Sequence, residues 1–158
     1  MATFLLEALL LLAAHQPAEA HRWTIYYNAR YGTRLSYPAD MFGSPFESDN
    51  GDGITLRAAD GASLAIWGRW NADVVNGNPE SPAHYVQWLA SLPDYRGLRY
   101  RLVRPNFAVL SGVRGGRIFY ERYVFAGRET VHAFLLEYPV ARRARWDPIA
   151  GRLSANLS

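Results

Sequence analysis

The chain has 158 residues, 49% of them hydrophobic and 20% charged, a balance typical of one globular domain and not of a disordered segment. It contains no cysteine, which excludes disulfides, thiolate metal sites and cysteine nucleophiles. All 17 basic residues are arginine, so lysine Schiff-base and P-loop chemistry are excluded, and a formal net charge of +3 does not demand a polyanionic partner.

Residues 1–20 have the pattern of a secretory signal peptide. An apolar run covers residues 4–14, and the Ala-Glu-Ala of residues 18–20 supplies a cleavage pattern. Because Glu7 interrupts the run and no arginine precedes it, an amphipathic N-terminal helix or an uncleaved anchor stays open as an alternative. The pattern predicts a leader over 1–20, a single domain over 21–158, and a periplasmic or secreted location.

The first part of the domain is predicted to contain strands and turns. Trp23–Ala29 is rich in β-branched and aromatic residues, and Arg34–Pro38 follows as a short strand after a turn at Gly32. Farther along, Ile54–Ala59 and Ser63–Trp70 flank an Asp-Gly dipeptide, which is a strong hairpin signal.

An acidic stretch, Ser48–Gly53 (Ser-Asp-Asn-Gly-Asp-Gly), precedes that hairpin. In an EF-hand loop, oxygen ligands alternate and the twelfth position is glutamate. Counted from Asp49, the third and fifth positions are glycines and the twelfth is Asp60, so the spacing fails. We interpret the stretch as a tight turn, with a weak cation site formed by Asp49, Asn50 and Asp52 as the alternative.

The second half of the chain alternates helix, strands and helix. Ser81 and Pro82 mark a helix start as N-cap and first residue. Turn signals at three places then divide residues 98–139 into a four-stranded antiparallel meander. A last helix is predicted to begin near Asp147, because Pro148 fits a first turn better than a helix interior. The apolar residues that share a face are Tyr85, Trp88, Leu89 and Leu92 in the first helix, and Trp146, Ile149 and Leu153 in the second.

This order of elements predicts an α+β fold with a mostly antiparallel sheet flanked by two helices. A parallel α/β fold would need more crossover helices than the pattern provides.

Few side chains point to catalysis. His132 lies within a predicted strand and is interpreted as a packed, hydrogen-bonded core histidine. Glu121 and Glu137 lie on neighbouring strands, where paired carboxylates could serve a glycosidase. Ion pairing on a solvated face is the favoured interpretation, with the nearby arginines as partners, namely Arg117, Arg122 and Arg128. No catalytic residue, cofactor or metal ion is predicted.

Arginines and aromatic residues indicate a binding surface. Arg142, Arg143 and Arg145 cluster before the last helix, and the sheet strands are rich in aromatic residues. No nucleic-acid-binding motif is present, so nucleic acid is not a predicted partner. Weak contact with an anionic surface stays open. The predicted partner is an envelope protein, bound at the aromatic sheet face or at the three arginines.

Several segments carry a resemblance to known proteins. They are Trp23–Gly32, Tyr37–Phe42, Asp49–Gly53 with Ala59–Gly68, and Trp146–Leu153. They resemble a group of small, uncharacterised secreted proteins from alphaproteobacteria, whose strand and helix order is similar to that of the PsbP-like fold, an αβα sandwich. Thr33 departs from that pattern, where an aromatic residue is expected. The PsbP-like group includes a photosystem accessory subunit, a Ran-binding import factor and periplasmic proteins, so the resemblance implies binding of a protein partner and carries over no site residue.

The sequence therefore predicts an exported, non-enzymatic domain that binds a protein partner or stabilises an envelope assembly. Two alternatives remain. One is an envelope hydrolase that uses Glu121 or Glu137, and the other is a module that binds a small ligand or a cation at Asp49–Asp52.

Overall fold

The computed structural model describes residues 20–72 and 77–158. The predicted leader, except for Ala20, lies outside the described residues. Nine strands and two α-helices are assigned in the described part of the chain, in the following order: β1 (Trp23–Asn28), β2 (Thr33–Pro38), β3 (Phe46–Glu47), β4 (Gly53–Arg57), β5 (Ser63–Trp70), α1 (Pro82–Ser91), β6 (Leu98–Val103), β7 (Phe107–Arg114), β8 (Arg117–Ala126), β9 (Thr130–Pro139) and α2 (Arg143–Asn156).

Seven of these strands form one antiparallel sheet in the order β3-β4-β5-β9-β8-β7-β6. β6 to β9 run consecutively from the sheet edge to its middle, which confirms the predicted meander. β4 and β5 pair as the predicted hairpin, and Gly61 adopts a φ of 89° in its turn. That φ is in the left-handed region, which glycine enters without steric cost.

β1 and β2 form a separate two-stranded hairpin that packs on the α2 side of the large sheet. Gly68 of β5 permits this close approach, because a Cβ at that position would collide with the side chains of Thr33 and Tyr31. The hairpin is also joined to the end of the chain, where Arg34 and Ser158 exchange two backbone hydrogen bonds.

The two helices cover opposite faces of the sheet. On the α2 face, the buried residues of α2 pack against even-numbered residues of β5 and β9, and this core consists chiefly of Trp146, Ile149, Leu153, Leu64, Ile66, Phe134 and Leu136. On the α1 face, Val86 and Leu89 pack with odd-numbered residues of β8 and their neighbours, including Phe119, Tyr123 and Phe125. The fold is therefore α+β with helices on both faces of an antiparallel sheet, as predicted.

Both helix predictions need a correction in detail. Ser81 is the N-cap of α1, as predicted, and its hydroxyl accepts a bond from the His84 N–H at 3.2 Å. Leu89 is buried and Tyr85 and Leu92 pack against the same core, as predicted. The prediction is wrong for Trp88, which is 45% exposed, and it missed the buried Val86.

α2 begins at Arg143, about one turn before the predicted start at Asp147. Pro148 therefore lies inside the helix and removes one backbone hydrogen bond. The first turn also contains Trp146, which is fully buried and therefore favours the observed packing of this turn against the sheet. Within residues 20–72 and 77–158, neither helix has the length and apolar character needed to cross a bilayer.

Candidate functional site

The outer face of the β1–β2 hairpin presents large apolar side chains to solvent. Successive residues of a strand point to opposite sides, so Trp23, Ile25 and Tyr27 share the outward side. Ile25 and Tyr27 are each 59% exposed, and Trp23 is half-buried. The opposite side of the hairpin supplies Leu35, which is fully buried in the core. Sequence periodicity would have placed the apolar side of β1 in the core, whereas the structure turns that side outward and buries the polar Asn28.

Two arginines lie over the rings of this surface. The Arg152 guanidinium is 3.8 Å from the centroid of the Trp23 ring, and that of Arg34 is 6.0 Å from the centroid of Tyr27. In the described part of the chain, neither arginine forms an ion pair with a carboxylate. We call this surface, made of Trp23, Ile25, Tyr27, Arg34 and Arg152, the hairpin face. It combines aromatic rings, an exposed aliphatic side chain and positive charge, the residue types that dominate protein interfaces.

The hairpin face borders an open strand edge. Among the described residues, β1 pairs with β2 alone. The backbone N–H and C=O of Arg34 bond to Ser158 and point away from β1. Arg34 and Tyr27, which lie opposite each other in the hairpin, are therefore a pair without mutual backbone hydrogen bonds. By the same alternation, Trp23, Ile25 and Tyr27 direct their backbone N–H and C=O groups to the open edge.

A second polar site is buried under α1 and was not predicted. Glu121 of β8 is only 2% exposed. The Tyr95 hydroxyl donates to its two carboxylate oxygens at 3.1 and 2.8 Å, and the Tyr123 hydroxyl donates to one of them at 3.1 Å. Burial raises the pKa of Glu121 above its ordinary value, although these hydrogen bonds and Arg114 act in the opposite direction.

Ion pairing of Glu121 and Glu137 is confirmed, but the predicted partners and the predicted exposure of Glu121 are wrong. The partner of both carboxylates is Arg114, which contacts Glu137 at 2.9 Å and Glu121 at 3.9 Å, and Glu121 is buried instead of lying on a solvated face. Arg117 instead donates to backbone carbonyls, and Arg122 lies against the Phe107 ring on the other side of the sheet. The error arose because strand register, and not proximity in sequence, decides which charged side chains meet.

His132 is buried, as predicted, at 5% exposure. Its Nδ1 lies 2.9 Å from the Oγ1 of Thr33, which joins β9 to the hairpin. Burial lowers the pKa of His132, so the imidazole is neutral at neutral pH. The prediction of a hydrogen-bonded core histidine is confirmed, and its partner is Thr33 of the hairpin.

The acidic stretch forms a turn between β3 and β4, which confirms the favoured interpretation. The Gly51 N–H donates to the Ser48 carbonyl at 2.9 Å, and the Asp52 carboxylate accepts bonds from Ser48 Oγ and Asn50 Nδ2 at 2.6 and 3.0 Å. Asp49 is exposed. In residues 20–72 and 77–158, no group of three histidine, aspartate or glutamate side chains is arranged to hold a metal ion.

Two of the three clustered arginines border a groove of about 390 Å³ next to the β4–β5 turn. Arg142 and Arg145 line the groove together with Asp40 and Asp60. Arg145 is 3.8 Å from Asp60, and Arg143 is 3.7 Å from Asp147, so two of the three charges have an acidic neighbour. The cluster is thus solvent-exposed but is partly neutralised.

The layers described above define an α+β sandwich, and comparison with known proteins gives this class a name. No protein-family model and no curated protein matches the chain. Among solved structures, the chain is similar to the solution structure of cyanobacterial PsbP (CyanoP) from Synechocystis sp. PCC 6803, with a TM-score of 0.61 and 12% identity. The match covers 93% of this chain and 98% of that chain. The fold is therefore PsbP-like, as the resemblance implied.

Proposed function

We propose that this chain is an exported, non-enzymatic domain that binds a protein partner in the cell envelope through the hairpin face. The observation that carries the proposal is the row of outward side chains on β1, where Ile25 and Tyr27 remain 59% exposed next to two arginines that form no ion pair with a carboxylate of the described residues. A protein partner would remove this apolar surface from water and supply a countercharge.

The polar groups of the interior support binding over catalysis. Glu121 lies under α1 and accepts bonds from Tyr95 and Tyr123, and Glu137 is paired with Arg114. Internal partners thus account for both carboxylates of the hydrolase alternative without a substrate. Export is proposed from the leader pattern over 1–20 and from the resemblance to secreted alphaproteobacterial proteins.

Arg142, Arg143 and Arg145 form a second candidate surface for the same partner. The groove beside Arg142 and Arg145 could accommodate an acidic side chain of the partner. This second surface is a weaker candidate than the hairpin face, because Asp60 and Asp147 already lie near two of its arginines.

The test is site-specific photocrosslinking in the cells that natively produce the protein. A benzoylphenylalanine residue replaces Tyr27 in the hairpin face, Arg142 in the second surface, or Tyr100 as the control. Tyr100 is a suitable control because it is an aromatic strand residue that is 50% exposed. We expect one discrete adduct with an envelope protein from position 27 and none from position 100.

Two outcomes would contradict the proposal. Absence of an adduct at both Tyr27 and Arg142 would argue against a protein partner at either surface. Intact-mass measurement of the crosslinked fraction checks export separately: the expected chain begins after Ala20, and retention of residues 1–20 on cytoplasmic protein would refute export.

A further inference from the structure

We infer that the open edge of β1 accepts an extended, acidic segment of the partner, which adds to the hairpin as a third strand. This inference rests on the proposed function and specifies how the partner binds. Recognition by strand addition uses backbone hydrogen bonds for affinity and alternate side chains for specificity.

The backbone of β1 has the geometry that strand addition needs. Trp23, Ile25 and Tyr27 direct three N–H and three C=O groups to the open edge, and no described residue hydrogen-bonds to them. At about 3.3 Å per residue, the six residues of β1 match a partner segment of similar length. The same three residues carry the outward side chains, so an added strand would extend the hairpin face as well as its edge.

The positive charge near β1 indicates that the added strand should be acidic. Arg34 and Arg152 lie on the outward side of the hairpin, and exposed Arg22 precedes β1. Asp40, near the start of β1, already accepts from His21 Nδ1 at 2.9 Å and from the Arg22 N–H at 2.8 Å. Outward glutamate or aspartate side chains at alternate positions of the added strand would lie on the same side as Arg34 and Arg152.

The same charges argue against a second copy of this chain as the occupant. If two β1 strands paired edge to edge, the positive charges of both hairpin faces would share one continuous surface, and no carboxylate of the described residues is ion-paired with Arg34 or Arg152. Like charges brought together across an interface are unfavourable. An acidic segment is therefore favoured over a symmetric dimer.

The test uses the purified full-length chain and two labelled, end-capped peptides. One alternates glutamate and valine over seven residues, and the matched control replaces each glutamate by lysine. Fluorescence anisotropy measures binding, and hydrogen exchange followed by NMR measures protection of the amides of Trp23, Ile25 and Tyr27. We expect the glutamate peptide to bind at least about tenfold more tightly than the lysine peptide, with affinity falling as salt rises. We also expect it to slow exchange at these three amides.

Two variants separate backbone pairing from side-chain contact. Ile25→Pro removes an N–H that points to the open edge, where proline is tolerated in an edge strand, whereas Ile25→Ala removes the side chain and keeps the N–H. Strand addition predicts that the proline variant loses about tenfold more affinity than the alanine variant. Circular dichroism and thermal unfolding establish that both variants are folded.

Each contrary result has a distinct meaning. If the peptide binds without protecting the β1 amides, or if both Ile25 variants bind equally, strand addition is wrong although the hairpin face still binds. If neither peptide binds, the acidic-strand inference fails while the crosslinking test of the proposed function stands by itself. Protection of these amides in the free chain, or a dimer in sedimentation, would mean that residues 1–19 or a second copy occupies the edge and would overturn the inference.

Discussion

The two faces of the seven-stranded sheet bury their polar groups in different ways. On the α2 face, the Trp146 indole donates to Asp60 at 3.0 Å and the Tyr138 hydroxyl donates to Asp147 at 2.6 Å. Asp147 is half exposed, and Asp60 is largely covered but lies 3.8 Å from the exposed Arg145. On the α1 face, the carboxylate itself is inside, because Glu121 is nearly inaccessible and two tyrosine hydroxyls solvate it. The α2 face thus buries uncharged donors, whereas the α1 face buries an ionisable acceptor.

Because of this difference, two kinds of interaction contribute to the stability of the fold. Burial of neutral, apolar groups is favourable in proportion to their area and depends little on pH. A buried carboxylate costs free energy unless hydrogen bonds and nearby charges compensate it, so its contribution depends on every partner and on pH. Substitutions of the apolar residues of the α2 face should therefore act through packing, whereas those at Glu121 and at the neutral His132 should act through protonation.

The largest effect is expected at the centre of the α2 face. Trp146→Ala removes the largest fully buried side chain of the described core and leaves a cavity. We expect a loss of about 3–5 kcal/mol in the free energy of unfolding. Chemical denaturation monitored by circular dichroism measures it. Trp88→Ala is the matched control, because Trp88 is 45% exposed and its removal should cost about 0.5 kcal/mol. Equal losses in the two variants would contradict the assignment of the core.

The second largest effect is expected where the tyrosine hydroxyls stabilise the buried Glu121 carboxylate. Tyr95→Phe removes one hydroxyl that donates to both carboxylate oxygens and leaves the ring in place. Because hydrogen bonds to charged groups are strong, we expect a loss of about 1.5–3 kcal/mol at pH 7. The loss should shrink in acid, where the carboxyl group becomes neutral. Tyr100→Phe, at an exposed hydroxyl, should leave stability unchanged, and a pH-independent effect of Tyr95→Phe would argue against this role.

A smaller effect is expected where the hairpin meets the sheet. Thr33→Val keeps the volume of a fully buried side chain but removes the hydroxyl next to His132. Loss of one neutral hydrogen bond should cost about 1 kcal/mol of unfolding free energy, as measured by urea denaturation. Thr24→Val changes an exposed threonine in the adjacent strand and is the control. If both variants were equally stable, the bond from Thr33 to His132 would contribute nothing.

Local signals were enough to predict the sheet, because each depends on neighbouring residues. The glycine turns predicted the meander, Asp60-Gly61 predicted the β4–β5 hairpin, and Ser81 predicted the start of α1. Such features reflect backbone preferences that a short segment carries by itself.

Features that depend on distant residues could not be predicted in the same way. Arg114 meets Glu137 only because β7, β8 and β9 pair in register, and Tyr95 reaches Glu121 from a turn beyond α1. The hairpin face depends on tertiary packing, because it is the side of β1 that points away from the sheet. The alternation in β1 is misleading, because its more apolar side, Trp23, Ile25 and Tyr27, faces outward, and the polar Asn28 is buried on the other side.

The smallest expected effects are two changes of unfolding free energy with pH, which have opposite signs for Glu121 and His132. Burial raises the pKa of Glu121 above 4.5, so the ionised form is penalised in the folded state and this penalty disappears as the pH falls through the folded pKa toward 4.5. Relative to Glu121→Gln, the unaltered chain should gain stability on acidification. Burial lowers the pKa of His132 below 6.5, so protonation is penalised. Relative to His132→Asn, the unaltered chain should lose stability as the pH falls from 6.5 through the folded pKa.

Each slope is limited to about 1.4 kcal/mol per pH unit, because each group exchanges at most one proton on unfolding. Unfolding free energies measured from pH 7.5 to 4.5, and expressed as differences from each variant, cancel the titration of the remaining acids. Slopes of the same sign would show that the two faces do not differ in the way that their buried groups indicate. A flat difference for Glu121→Gln alone would mean that the tyrosine hydroxyls and Arg114 compensate the buried charge completely.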